Sequence, residues 1–369
     1  MSTAPGTSVT AALQRPHELA AYGLPQWEEL ILQARRTNLL SRIAHGLAEQ
    51  DLLAHVPPAP RAHLDAALAL AAAQTDAVRR EVAYLRKALA KVGIDIVLLK
   101  GAAYLMAGLP AARGRMFSDV DILVPFDKLG EVELALKLHG WVTTHHSAYD
   151  QRYYRQWMHE LPPLRHVIRM TVLDVHHAIL PRTARLKPSS EKLLGASRPI
   201  AGEDRLRVLA PVDMVLHSAS HLFHNEELSQ GLRDLADLDS LLRHFGEQPA
   251  FWEELPERAV ELDLARPLFY GMRHAARLFG TPVPHAARLR VEAGGPARLP
   301  GRLMDALYER ALRPVAPNDR DLVTPMARLA LFVRAHWLRM PPQLLAWHLG
   351  AKVFRVDRDA SAAGGRPEV

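Results

Sequence analysis

Asp119 and Asp121 stand two residues apart in the run Ser118-Asp119-Val120-Asp121-Ile122-Leu123-Val124. In an extended strand this spacing puts both carboxylates on one face and Val120 and Ile122 on the other. Two carboxylates side by side repel, and keeping both ionised needs cations or solvent between them. A divalent metal is the usual reason to build such a pair. Magnesium takes oxygen ligands in an octahedral shell and leaves room for waters and substrate phosphates; manganese is the other ion that suits the pair. A paired-metal site activates the attacking oxygen and neutralises the leaving group in phosphoryl or nucleotidyl transfer.

The elements that must hold this pair can be read on either side of it. Residues 94–99 are apolar except for Asp95 and predict a first strand; Lys100-Gly101-Ala102 turns it into a short helical stretch. The chain then returns through Ser118 into the second strand, which carries the aspartates. Backbone N–H groups at the start of a helix are free to hold a phosphate, so Gly101 marks the phosphate side of the turn. Lys100 and Arg115 are the nearest cations in sequence to neutralise a triphosphate, unless Lys100 instead closes an ion pair behind the turn. A third carboxylate is expected on a later strand. In residues 166–180, HVIRMTVLDVHHAIL, Asp174 and His176 share one face while Leu173 and Val175 share the other. Unpaired Asp is rare among buried residues, so Asp174 either serves the site or lies on an exposed edge.

Lys-Gly-Ala, an arginine at 113 or 115, and Ser-Asp-Val-Asp-Ile-Leu-Val together resemble the bacterial uncharacterised nucleotidyltransferase family of the polymerase-beta-like superfamily. The resemblance covers about residues 94–245. It implies Asp119, Asp121 and Asp174 as catalytic metal ligands, with Lys100, Gly101, Ala102, Arg115 and Ser118 on the nucleotide. The superfamily turn is Gly-Gly or Gly-Ser; Ala102 departs from it, without the hydroxyl that a serine would offer to the phosphates. The Leu-Asp-Val-His segment matches the family strand that carries the third acid followed by a histidine. A histidine-bearing helix followed by an Asp-containing helix matches the family's helical half.

Composition limits the other possibilities. A chain of 369 residues, 49% hydrophobic and 23% charged, is long enough for two or three domains with a sizeable core. The absence of cysteine excludes disulfides and thiolate metal sites. A net charge of +6 suits nucleotide phosphates and is too small to expect a long nucleic acid as partner. The opening MSTAPGTSVT has neither a basic start nor an apolar run, and no stretch predicts a transmembrane segment, so the cytoplasm is the expected location.

Along the chain, residues 24–53 and 61–92 show helical periodicity with a proline break between them, and their expected work is structural. Residues 126–139 predict a helix and 140–144 a strand. The segment 147–165 interleaves aromatics with cations, which suits either a stacked base or acceptor, or a flap packed on itself. Residues 181–211 read as irregular with a hairpin near Gly202, and Pro211 opens a helix. That helix carries the stripe Asp213, His217, Ser220, His221 and His224. Histidines four apart can bind metal, and a polar stripe beside the cleft is the other reading. Arg233, Asp234 and Asp237 either line the cleft or pair with one another. His176, His221 and Asp234 are the candidates for the cleft wall. Residues 280–300 read as a linker, and the remainder to about 356 as helical.

The expected fold is α+β, a small mixed β-sheet nucleotidyltransferase core with N-terminal helices and a C-terminal helical domain. The expected boundaries are 1–8 disordered, 9–93 helical, 94–210 catalytic core, 211–356 helical and 357–369 a disordered tail. The expected activity is metal-dependent transfer of an NMP group from an NTP, with ATP the leading choice, to an unidentified small-molecule, peptide or protein acceptor. The alternative is a non-catalytic nucleotide-sensing or partner-binding module. Asn at Asp119 or Asp121 is expected to abolish activity with little loss of stability, by relieving repulsion.

Overall fold

The computed structural model describes residues 8–143, 154, 155, 157–224, 228–314, 321–341 and 343. The expected disordered ends lie outside these residues, Ser8 apart, as does most of 144–156. Seven described strands form one mixed sheet: β1 (Ile96–Leu99), β2 (Val120–Leu123), β3 (Trp141–Thr143), β4 (Leu164–His166), β5 (Val172–His176), β6 (Arg198–Pro199) and β7 (Leu206–Val208). Their spatial order is β3-β4-β5-β2-β1-β7-β6. β2 runs antiparallel to β1 and parallel to β5, and β7 runs parallel to β1 on its other side. All four residues of β1 and of β2 are buried, as expected for central strands covered on both faces. The fold is α+β, and its buried apolar residues form one continuous core that runs from the N-terminal helices through the sheet into the helices that follow.

Residues 166–180, read from sequence as one apolar run, are two strands joined by a turn. The His166 ring accepts the Ile168 and Arg169 N–H groups, and Met170 takes a left-handed φ of 59°. Arg169 then reaches back to the long helix Pro58–Leu89, where its guanidinium grips both oxygens of the buried Glu81. The expected linker at 280–300 contains the helix His285–Glu292 and the start of Arg298–Ala311. Its apolar residues Ala287 and Val291 pack into the core, which Pro and Gly content alone did not reveal. The hairpin near Gly202 forms as β6 and β7 and joins the sheet beside β1.

The N-terminal helices have a definite positional effect. Ser41 and Arg42, on the helix Leu40–Glu49, donate to the carbonyls of Gly114 and Ala111. Gln74 on the long helix accepts the Phe117 N–H at 2.8 Å. The loop entering β2 is thereby clamped just ahead of Asp119. Among the described residues no helix is long and apolar enough to cross a membrane.

Candidate active site

The sheet register brings the sequence-selected acids together. Asp121 stands directly opposite Asp174 across the parallel β2–β5 pair, and opposite Leu99 at the end of β1. Paired residues on adjacent strands project from the same face, so Asp121, Asp174 and the flanking His176 share one side, with Asp119 at the entrance to β2. Lys100, immediately after β1, places Nζ 2.7 Å from Asp121 Oδ1. His176 donates from Nε2 to the same oxygen at 3.0 Å. A cleft of about 250 Å³ opens over this end of the sheet; its walls include Lys100, Asp119, Asp174 and His176.

The charges in the cleft are unevenly balanced. Burial raises the Asp119 carboxyl, and the neighbouring Asp121 adds to the effect. Burial and then Asp121 and Glu160 push Asp174 up to about 7. Asp121 goes the other way: burial opposes ionisation, and Lys100 and His176 overcome it and hold the carboxyl well below its usual range. The Asp174 Oδ1 is buried with no hydrogen-bond partner. An oxygen donor set with one orphaned carboxylate oxygen fits a hard divalent cation. The three aspartates are not themselves drawn into a tight cluster. Among the described residues, the one set of three His or acidic side chains with donor atoms within 4.8 Å of one another is His159, Glu160 and His176.

His159 and Glu160 were missed by the sequence reading. They lie in an irregular stretch with no periodicity, and Glu160 reaches β5 through an isolated bridge to His176. The signal available was a His-Glu pair at the end of the aromatic segment, with a histidine on the third-acid strand. The first part of that segment, 147–153, lies outside the described residues, but His159 and Glu160 further along it do line the cleft.

From the helix Pro211–His224, Ser220, His221 and His224 face the cleft. His217 and His221 place their ring centroids 6.5 Å apart. Burial holds His221 well below its ordinary range and His217 at about 3, so both are neutral. Among the described residues no third His or acidic donor gathers with this pair, so the polar-stripe reading describes this helix better than a metal site. Asp234 makes its ion pair with Arg233 at 2.8 Å, stands 3.9 Å from His221, and is not among the residues that line the cleft.

Arg115 faces away from the expected nucleotide side. Its guanidinium is buried and donates to Asp237 at 2.8 Å, and Asp237 also receives Arg42 at 2.6 Å. Burial opposes the charge on Asp237, and the two arginines nonetheless lower its carboxyl. Arg115 is thus held by Asp237 and does not line the cleft. Gly101 is explained by the same contact. A Cβ there would lie 2.3 Å from Arg115 Nη1, so the absent side chain is what admits the guanidinium. Ala102 is buried in the core, where a methyl fits and a hydroxyl would need a partner.

No curated protein and no solved structure matches the chain. The model of the uncharacterised nucleotidyltransferase family matches residues 24–280, more than half of the chain and all seven strands, and the chain belongs to that family.

Proposed function

We propose that the protein is a metal-dependent nucleotidyltransferase that moves an NMP group from an NTP, ATP first among them, to a hydroxyl of a small-molecule, peptide or protein acceptor. The observation that carries this reading is the register of Asp121 against Asp174 at the mouth of the cleft, with Asp119 one step ahead. Asp119, Asp121 and Asp174 would hold magnesium or manganese, which when bound neutralises phosphate charge and makes the acceptor hydroxyl more acidic. Lys100, on the cleft wall, presents its ammonium to the phosphates. Ser118, which is exposed, and the uncapped turn at Gly101 and Ala102 complete that side. Asp174 accepts the acceptor proton. The new oxygen–phosphorus bond forms in line as the bond to pyrophosphate breaks, so the residues act chiefly by positioning and charge stabilisation.

The neutralisation of Asp121 by Lys100 and His176 also suits a nucleotide sensor that never completes transfer. Calorimetric titration of each NTP with magnesium, into wild type and Asp119→Asn, tests the site without knowledge of the acceptor. The expected result is binding in wild type that is weakened by about tenfold or more in the variant, whose melting temperature is unchanged. Absence of binding to folded wild type would sink the reading. Binding without label transfer from an α-labelled NTP to any component of a cell extract would favour the sensor.

A further inference from the structure

We infer that His159, Glu160 and His176 form a separate site for a borderline transition-metal dication of the zinc or cobalt class, on the cleft wall beside the aspartates. The inference does not depend on nucleotidyl transfer, since it concerns a nitrogen-bearing donor set distinct from the three aspartates.

The argument begins with the lone pairs. His176 is buried and gives its Nε2 proton to Asp121. The ring's other nitrogen, Nδ1, turns away from Asp121. This Nδ1 is buried, has no hydrogen-bond partner, and lies 3.3 Å from Glu160 Oε2, which is itself an acceptor. A ring nitrogen and a carboxylate oxygen facing each other at this distance need a cation or a proton between them. His159 adds a third donor: its Nε2 is 3.8 Å from the same Glu160 oxygen, and its ring centroid is 5.2 Å from that of His176. A tetrahedral ion with bonds of about 2.0–2.1 Å spaces its ligand atoms by roughly 3.3 Å, which matches the Glu160–His176 separation. Two imidazoles and a carboxylate form a donor set that selects zinc-like ions over magnesium.

The surroundings supply what such a site needs. Asp121 behind His176 fixes the tautomer and ring orientation, as a carboxylate behind a metal-bound histidine does. The backbone is also held in place. Leu161 N–H donates to Val175 and His177 N–H to His159, both at 2.9 Å, tying the two segments together. The three side chains line the same cleft as Asp119 and Asp174, so a fourth coordination position opens toward them. The competing arrangement is a doubly protonated His176 bridging Asp121 and Glu160, with no metal.

The test uses Co2+ alone as probe. The full-length protein, stripped by chelator and dialysed, is titrated with Co2+ without nucleotide, following visible absorption and bound metal per chain. The expected result is one equivalent with the intense bands of a low-coordinate, nitrogen-ligated ion, displaced by Zn2+. His159→Ala and Glu160→Gln should each weaken binding by roughly a hundredfold or more, with far-ultraviolet dichroism unchanged. Asp119→Asn should leave the bands in place. The inference is overturned if no equivalent binds, if binding survives both His159→Ala and Glu160→Gln, or if the bands vanish in Asp119→Asn.

Discussion

Two groups of buried charge lie on opposite sides of the turn after β1, and they are balanced in opposite ways. Behind the turn, one carboxylate, Asp237, is met by two arginines, Arg42 and Arg115. In front of it, Asp119, Asp121, Asp174 and Glu160 face Lys100 and Arg339, with His159 and His176 as neighbouring imidazoles. The first group is satisfied internally and supports structure. The second gathers more carboxyl groups than permanent cations, and burial keeps Asp119 and Asp174 from ionising as readily as free carboxyls, so a bound cation or ligand would complete it. Burial alone does not separate them, because Asp121 and Asp237 are 3% and 2% exposed. Charge balance does.

The contrast is open to direct challenge. Asp237→Asn should give the largest effect on stability. It leaves two arginines without their carboxylate, and chemical denaturation should show a loss of about 3–5 kcal/mol. A loss below about 1 kcal/mol would mean that the pair behind the turn is not a structural anchor. Asp121→Asn comes next, and here the structure revises the sequence expectation of little stability change. Asp121 is the partner of Lys100 and His176, so its amide should lower stability by roughly 2–3 kcal/mol. Asp119→Asn should be neutral or slightly stabilising. If the two variants prove equally stable, Lys100 does not depend on Asp121. Gly101→Ala should cost less than Asp237→Asn or Asp121→Asn, about 1–2 kcal/mol, because the methyl presses on a guanidinium already held by Asp237. Melting scans of Gly101→Ala in the Arg115→Ala background sharpen the point, since the penalty should shrink there to what the Phe117 ring, 3.0 Å from the added Cβ, still imposes.

What the sequence disclosed follows the range of each interaction. Asp119, Asp121 and Asp174 were legible because period-2 alternation inside apolar runs is a local signal, and the register confirms that Asp121 and Asp174 share a side. The apolar helical periodicity of the N-terminal region and the hairpin that became β6 and β7 were legible for the same reason. The Arg115–Asp237 pair was not legible because the two residues stand 122 positions apart in the chain. Lys100 was left between two roles, since only the β1–β2 pairing brings it onto Asp121. His159 and Glu160 carried no pattern at all. Their placement comes from a single bridge to β5, and no local spacing encodes a contact of that kind.

The strand order also bears on how the molecule is made. β1 is flanked by β2, which follows it closely in the chain, and by β7, which arrives roughly a hundred residues later. A growing chain can therefore pair β1 with β2 early and must wait for the second neighbour. At about 5–20 residues per second, one edge of Ile96-Val97-Leu98-Leu99 stays open for roughly 5–20 s. An uncharged, β-prone edge of this kind can recruit another strand, including the same segment of a second nascent chain. The placement of the nucleotidyltransferase strand in the middle of the sheet thus makes its synthesis a race between completing residues 206–208 and self-association.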